Sequence, residues 1–219
     1  MREPILVINA GSSSIKFSVF ETAADRSLSA GAHGQVEGIG TSPHLEVSDP
    51  HGNQLVDTPV AGTGHSGAIA VIHGWFAAHV GSEAGFDGVG HRVVHGGSTY
   101  SQPVAIDNKV ITELEALVPL APLHQPHHIA AIRAIRDIAP NVPQIACFDT
   151  AFHRSQPALA QQFAIPRELT VSMACPMNTL FRHCPKLRPI APKASSSSPI
   201  SAMAPACARS IGDRALPRR

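Results

Sequence analysis

The chain has 219 residues, of which 43% are hydrophobic and 15% charged, with a formal net charge of +1. This is the balance of a folded globular chain, and no apolar run approaches the ~20 residues a membrane span needs. The charge is unevenly spread: eight of the 17 Lys and Arg but only one of the 16 Asp and Glu fall in residues 171–219, so the first 170 carry a formal −6 and the remainder +7.

The first predicted element is a strand, Ile5-Leu6-Val7-Ile8, an apolar β-branched run bounded by turn residues. Asn9 to Ser14 (NAGSSS) is a tight turn of small residues, and Ile15 to Phe20 is a second strand, with Ile15, Phe17 and Val19 alternating against Lys16 and Ser18. The two form a hairpin whose Gly-Ser turn can present N–H groups and hydroxyls to an anion, with Lys16 adding positive charge. Gly-Ser turns are common in plain hairpins too. Ser27 to Glu37 and His44 to Ser48 read as further strands, with a turn at Asp49–Asn53. Ser66 to Val80 reads as a helix in which Trp75 is a core residue. Gly85 to Val94 is a strand. Asp107 to Val118 is a helix capped by Asp107, with Val110, Ile111, Leu114 and Leu117 as its stripe. His127 to Ile138 is another, ended by Pro140, and Gln144 to Phe148 is a strand running into Asp149. Strands first, then alternating helices and strands, argue for a mixed α/β layer structure.

Two residues stand at strand ends, where α/β sheets carry their sites. Arg92 ends the strand around GVGHRVV; its guanidinium could grip a carboxylate or phosphate through paired hydrogen bonds, or sit in a surface ion pair. Asp149 follows IACF and could serve a reaction or cap a helix. Asn9 could hold a metal-bound water. Histidine is abundant, 13 in all. A metal cluster from His124, His127 and His128 is disfavoured, since no carboxylate accompanies them.

The string Asn-Ala-Gly-Ser-Ser-Ser-Ile-Lys-Phe resembles the N-terminal signature of the acetate kinase family, part of the sugar kinase, heat-shock chaperone and actin superfamily. GVGHRVVHGG (88–97), LAPLHQPHH (120–128) and ACFDTAFHRSQP (146–157) resemble further motifs of that family, in the same order. The resemblance covers roughly residues 1–170 and is far more specific than a lone Gly-rich loop. It implies a ribonuclease-H-like (actin-like ATPase) domain, a mixed sheet with flanking helices, over residues 1–168. It implies transfer of the ATP γ-phosphoryl to acetate, or to propionate or butyrate, with Mg2+ as cofactor. The partners implied are acetate or acetyl phosphate and ATP or ADP, in a full-length homodimer, with no nucleic acid and no membrane. Asp149 matches the catalytic aspartate, Arg92 the substrate-binding arginine and Asn9 the magnesium-site asparagine. Lys16, Ser12 and Ser14 match contacts to the nucleotide phosphates. His124 lies in the substrate-pocket motif, which here reads His-Gln-Pro where the family has His-Asn-Pro.

Residues 169–219 are rich in Pro, Ser and Ala and lack periodicity, so a disordered tail is expected. Their codons explain the composition. Taking each third base with the first two of the next codon, Leu169 onward can encode YGFHGLSYEYI and Lys193 onward GVVVVAHLGNGASMCA. Both contain family motifs expected next in order, so the frame is read as shifting near Glu168–Leu169. The tail's charge is then a by-product and not a nucleic-acid surface. Four cysteines without metal-ligand spacing imply no disulfide framework, and a strand that begins by residue 5 leaves no room for a signal peptide. A cytoplasmic protein is expected.

Overall fold

The structure, a computed structural model, describes residues 3–23, 25, 27–61, 64–80 and 86–151. The expectation of a disordered segment over 169–219 lies outside these residues. The strands are β1 (Glu3–Ala10), β2 (Ser14–Thr22), β3 (Leu28–Glu37), β4 (His44–Ser48), β5 (Gln54–Pro59), β6 (Gly88–Val93), β7 (Val104–Ala105) and β8 (Gln144–Phe148). The helices are α1 (Gly64–Val80), α2 (Asn108–Ala116) and α3 (Gln125–Ile138), with a 3-10 turn at Val118–Leu120.

All eight strands join one sheet in the order β5-β4-β3-β2-β1-β6-β8-β7. β1 runs parallel to β6, and β6 parallel to β8; every other pairing is antiparallel. The parallel pairs require crossovers, which the three helices supply. The mixed sheet with flanking helices expected from the sequence is therefore present.

Alternation along the strands sorts the two faces. Leu6, Ile8, Ile15, Phe17, Val36, Leu45 and Val47 pack with Ile69, Ile72, Trp75 and Phe76 of α1 and with Ala131 and Ile135 of α3. A second cluster joins Val93, Ala146 and Phe148 to Val110, Ile111 and Leu114 of α2 and Ile129 and Ile132 of α3. Trp75 lies in the core, as expected. Asp107 caps α2 by accepting from the Val110 N–H over 2.8 Å. α3 starts two residues earlier than its apolar stripe predicts, because Pro126 fits a first turn, where no N–H is needed.

Gly34 of β3 illustrates how tightly the sheet packs. A Cβ there would lie 2.2 Å from the Glu46 carbonyl oxygen and 2.9 Å from the Phe17 ring. Gly34→Ala is expected to destabilise the domain by about 1–3 kcal/mol through overpacking, read as a lower urea midpoint with an unchanged slope. No helix among the described residues is long and apolar enough to cross a membrane.

Candidate functional site

The parallel strands β1, β6 and β8 end together, and each delivers one polar side chain at its carboxyl end. Asn9 closes β1, Arg92 lies near the end of β6, and Asp149 follows β8 directly, its N–H bonded to the Val93 carbonyl over 3.0 Å. Nε of Arg92 donates to both carboxylate oxygens of Asp149 at 3.1 Å, and one terminal nitrogen donates to Oδ2 at 2.6 Å. The other terminal nitrogen donates to Oδ1 of Asn9 at 2.9 Å. Arginine has five N–H groups. Each terminal nitrogen thus keeps one N–H without an acceptor among the described residues, in the fork that grips a carboxylate or phosphate. The side chains of Arg92 and Asp149 are about one-quarter exposed, so the pair opens to solvent on one side.

The strand register extends this group sideways. Lys16 pairs with Asn9 across β1 and β2, and the row continues through Gln35 and Glu46 to Asp57. Residues in one such row point to the same face of a sheet, so Lys16 lies on the face of Asn9, and it is exposed. Beside them is the turn Gly11–Ser14. Its Gly11 N–H closes onto the Ser14 carbonyl at 2.7 Å, and its Ser13 carbonyl accepts from the Ile39 N–H at 3.0 Å. Ser12 and Ser13 are exposed, and neither amide has an acceptor among the described residues.

His124 stands apart. It occupies the cap position of α3, exposed and without a side-chain capping bond, and makes no hydrogen bond to the Arg92 group. Gln125, the departure in the same motif, is fully buried and donates to the carbonyls of His95 (3.2 Å) and Leu114 (3.4 Å). It ties α3 to the loop after β6 and to the end of α2, which accounts for a glutamine there on packing grounds.

Sequence reasoning singled out the turn but missed His65 of α1, whose Nε2 donates to the Gly11 carbonyl over 2.7 Å and whose ring stacks on His127 at 4.7 Å. It also gave no role to His91 and His128. His91 is buried, donates from Nε2 to Oε1 of Gln144 at 2.8 Å, and is pushed down to about 4 by desolvation, against which the Gln144 bond acts. Burial and then the charge of Arg92 push His128 down to about 3. Both rings are therefore neutral in the fold. In the unfolded chain they take a proton below about pH 6.5, so the folded state holds fewer protons between that pH and about 4. Their contribution is complete above pH 6.5 and is lost as pH falls through that window, on the order of 3 kcal/mol for each ring. The urea midpoint is expected to drop steeply between pH 7 and pH 4.5; a flat profile would mean that both rings are charged in the folded state.

The oxygen donors at the strand ends, Asn9 Oδ1 and the Asp149 carboxylate, are of the kind that Mg2+ takes together with waters. Among the described residues the His/Cys/Asp/Glu group close enough to share an ion is His44, Glu46 and Asp57, on the exposed face of β4 and β5. His124, His127 and His128 form no such group there.

The model of the acetokinase family matches residues 4–175. The chain is 46% identical over 175 residues to an acetate kinase of Rhodopseudomonas palustris, covering 78% of this chain and 43% of that relative. It is 44% identical over 168 residues to an acetate kinase of Rhizobium meliloti, covering 75% and 42%. Among solved structures it resembles the acetate kinase of Porphyromonas gingivalis, with TM-score 0.69, 33% identity, and 76% and 42% of the two chains covered. It also resembles a propionate kinase of Francisella tularensis, with TM-score 0.66, 32% identity and the same coverage. The chain thus spans about two-fifths of the length of the relatives it matches.

Proposed function

This chain belongs to the acetokinase family, and from that premise we propose that it is the N-terminal part of an enzyme that reversibly transfers the ATP γ-phosphoryl to acetate, giving acetyl phosphate and ADP. The observation that carries the reading is Arg92, anchored by Asp149 and Asn9 with two N–H groups still to give. A guanidinium so held can orient a carboxylate for in-line attack and stabilise the charge that builds on the transferred group. Asp149 sets the direction of that guanidinium and stands beside the reacting carboxylate. Ser12, Ser14 and Lys16 hold the nucleotide phosphates, the first through the amides of the turn. His124 borders the acyl pocket. Asn9 would hold Mg2+ with waters, and the ion when bound neutralises phosphate charge.

We assign residues 1–168 to the kinase domain and residues 169–219 to an out-of-frame product. A one- or two-base correction near codon 168 then restores FHGLSYEYI and HLGNGAS to the chain. The likeness to a propionate kinase, nearly as strong as that to an acetate kinase, supports a second reading in which propionate or butyrate is the acceptor.

The test is to resequence the gene across codons 165–175 and to assay the restored chain with ATP, Mg2+ and each carboxylate. Acetyl phosphate formation with kcat/KM highest for acetate supports the first reading, and a maximum at propionate or butyrate the second. A folded restored chain that phosphorylates none of them overturns both.

A further inference from the structure

We propose that His65 is a positioning residue for the Gly11–Ser14 turn, acting by fixing the direction of the peptide that joins Gly11 to Ser12. The proposal rests on reading that turn as a phosphate seat. Nε2 of His65 reaches the Gly11 carbonyl at 2.7 Å across 54 residues of sequence. A peptide group is planar and trans, so its C=O and N–H point in opposite directions. Holding the Gly11 carbonyl on α1 therefore aims the Ser12 N–H away from α1. Gly11 has no Cβ to restrict its dihedrals, so this peptide is the one in the turn that most needs an outside partner to set its direction.

The rest of the turn is organised the same way. The Ser14 carbonyl is taken by the Gly11 N–H and the Ser13 carbonyl by the Ile39 N–H. With these carbonyls engaged, the exposed residues Ser12 and Ser13 keep amides with no acceptor among the described residues, donors of the kind an anion takes. A flipped Gly11–Ser12 peptide would present a carbonyl oxygen to a phosphate oxygen, and attraction would become repulsion. The His65 ring is itself fixed: His127, in the first turn of α3, stacks on it at 4.7 Å with the planes 17° apart. Desolvation, and then the neighbouring His65 and His124, push the His127 pKa below its usual value. Through this stack α3 and α1 brace the turn together.

The experiment uses the 219-residue chain, nitrogen-15 labelled, with ADP as the probe. In His65→Ala the Gly11 amide is expected to exchange about 10-fold faster while Ile72 of α1 changes less than about 2-fold. ADP, followed by shifts of the Ser12 and Ser13 amides, is expected to bind about 10-fold more weakly. His65→Gln keeps an N–H at similar reach and is expected to restore both, and His127→Ala to fall between. Unchanged Gly11 exchange in His65→Ala overturns the proposal. So does equal acceleration at Ile72, which would make His65 a residue that merely holds α1 together. If ADP moves none of the turn amides in the parent chain, the phosphate reading of the turn fails, and Gly11 exchange alone decides whether His65 orients the peptide.

Discussion

Arg92→Ala in the restored chain is expected to lower kcat/KM for acetate and for acetyl phosphate by on the order of 10²-fold or more, equivalent to about 3 kcal/mol. The variant removes a forked cation from between Asp149 and Asn9 and leaves the carboxylate of Asp149 facing the substrate carboxylate with nothing between them. Two like charges a few ångströms apart in a water-poor cleft oppose binding as well as reaction, so KM and kcat both suffer. Folding should weaken as well, by on the order of 1–3 kcal/mol, because both side chains are about three-quarters buried and the variant leaves the Asp149 carboxylate without its cation. Arg92→Lys keeps the charge and loses the fork, so it should recover only part of the activity. Asp149→Asn should preserve the fold and lower kcat, since it changes charge at the reacting centre and little else. Lys16→Ala should act through KM for ATP. The measurement is steady-state kinetics in both directions beside a urea unfolding curve. Normal acetate kinetics in folded Arg92→Ala would remove Arg92 from the site.

How far the sequence could be read depended on how local each signal was. The hairpin β1–β2, the capped helix α2 and the strand β8 were legible because alternation, an Asp cap and a β-branched run each act over a few residues. β5 was not: in QLVDTP only Val56 is even partly covered, so an edge strand leaves almost no apolar alternation. β7 has two residues and exists because β8 offers it a free edge. At the site, Arg92 and Asp149 could be nominated from their strand ends, but their mutual bond, closed across 57 residues, needed the fold. His65 was illegible for the same reason. It lies at the start of a helix and outside every motif, and its partner is a backbone carbonyl, which no residue type announces. His124 shows the converse case. A motif placed it at the site, yet locally it is an exposed cap of α3 with no bond to Arg92.

The 219-residue chain itself is expected to show no acetate-dependent ATP turnover. The sheet places Arg92, Asp149, Asn9 and Lys16 on one surface, and that surface is open: the Arg92–Asp149 pair is partly exposed, and Lys16, Ser12 and Ser13 are exposed. Phosphoryl transfer draws its rate from positioning and from electrostatic stabilisation in a site that excludes water. An open surface supplies little of either, because its exposed donors remain solvated and act at something near the dielectric of water. The restored frame would add the segments FHGLSYEYI and HLGNGAS and all that follows them. The comparison is direct: purify both chains, confirm by circular dichroism that each is folded, and measure acetyl phosphate with ATP, Mg2+ and acetate. Turnover by the restored chain with a rate at background for the short one is the expected result. Loss should be complete at the sensitivity of the assay, since removing groups that act as a unit costs far more than any single substitution. Robust turnover by the short chain would show that residues 1–168 suffice, and would overturn the need for the segments that the restored frame adds.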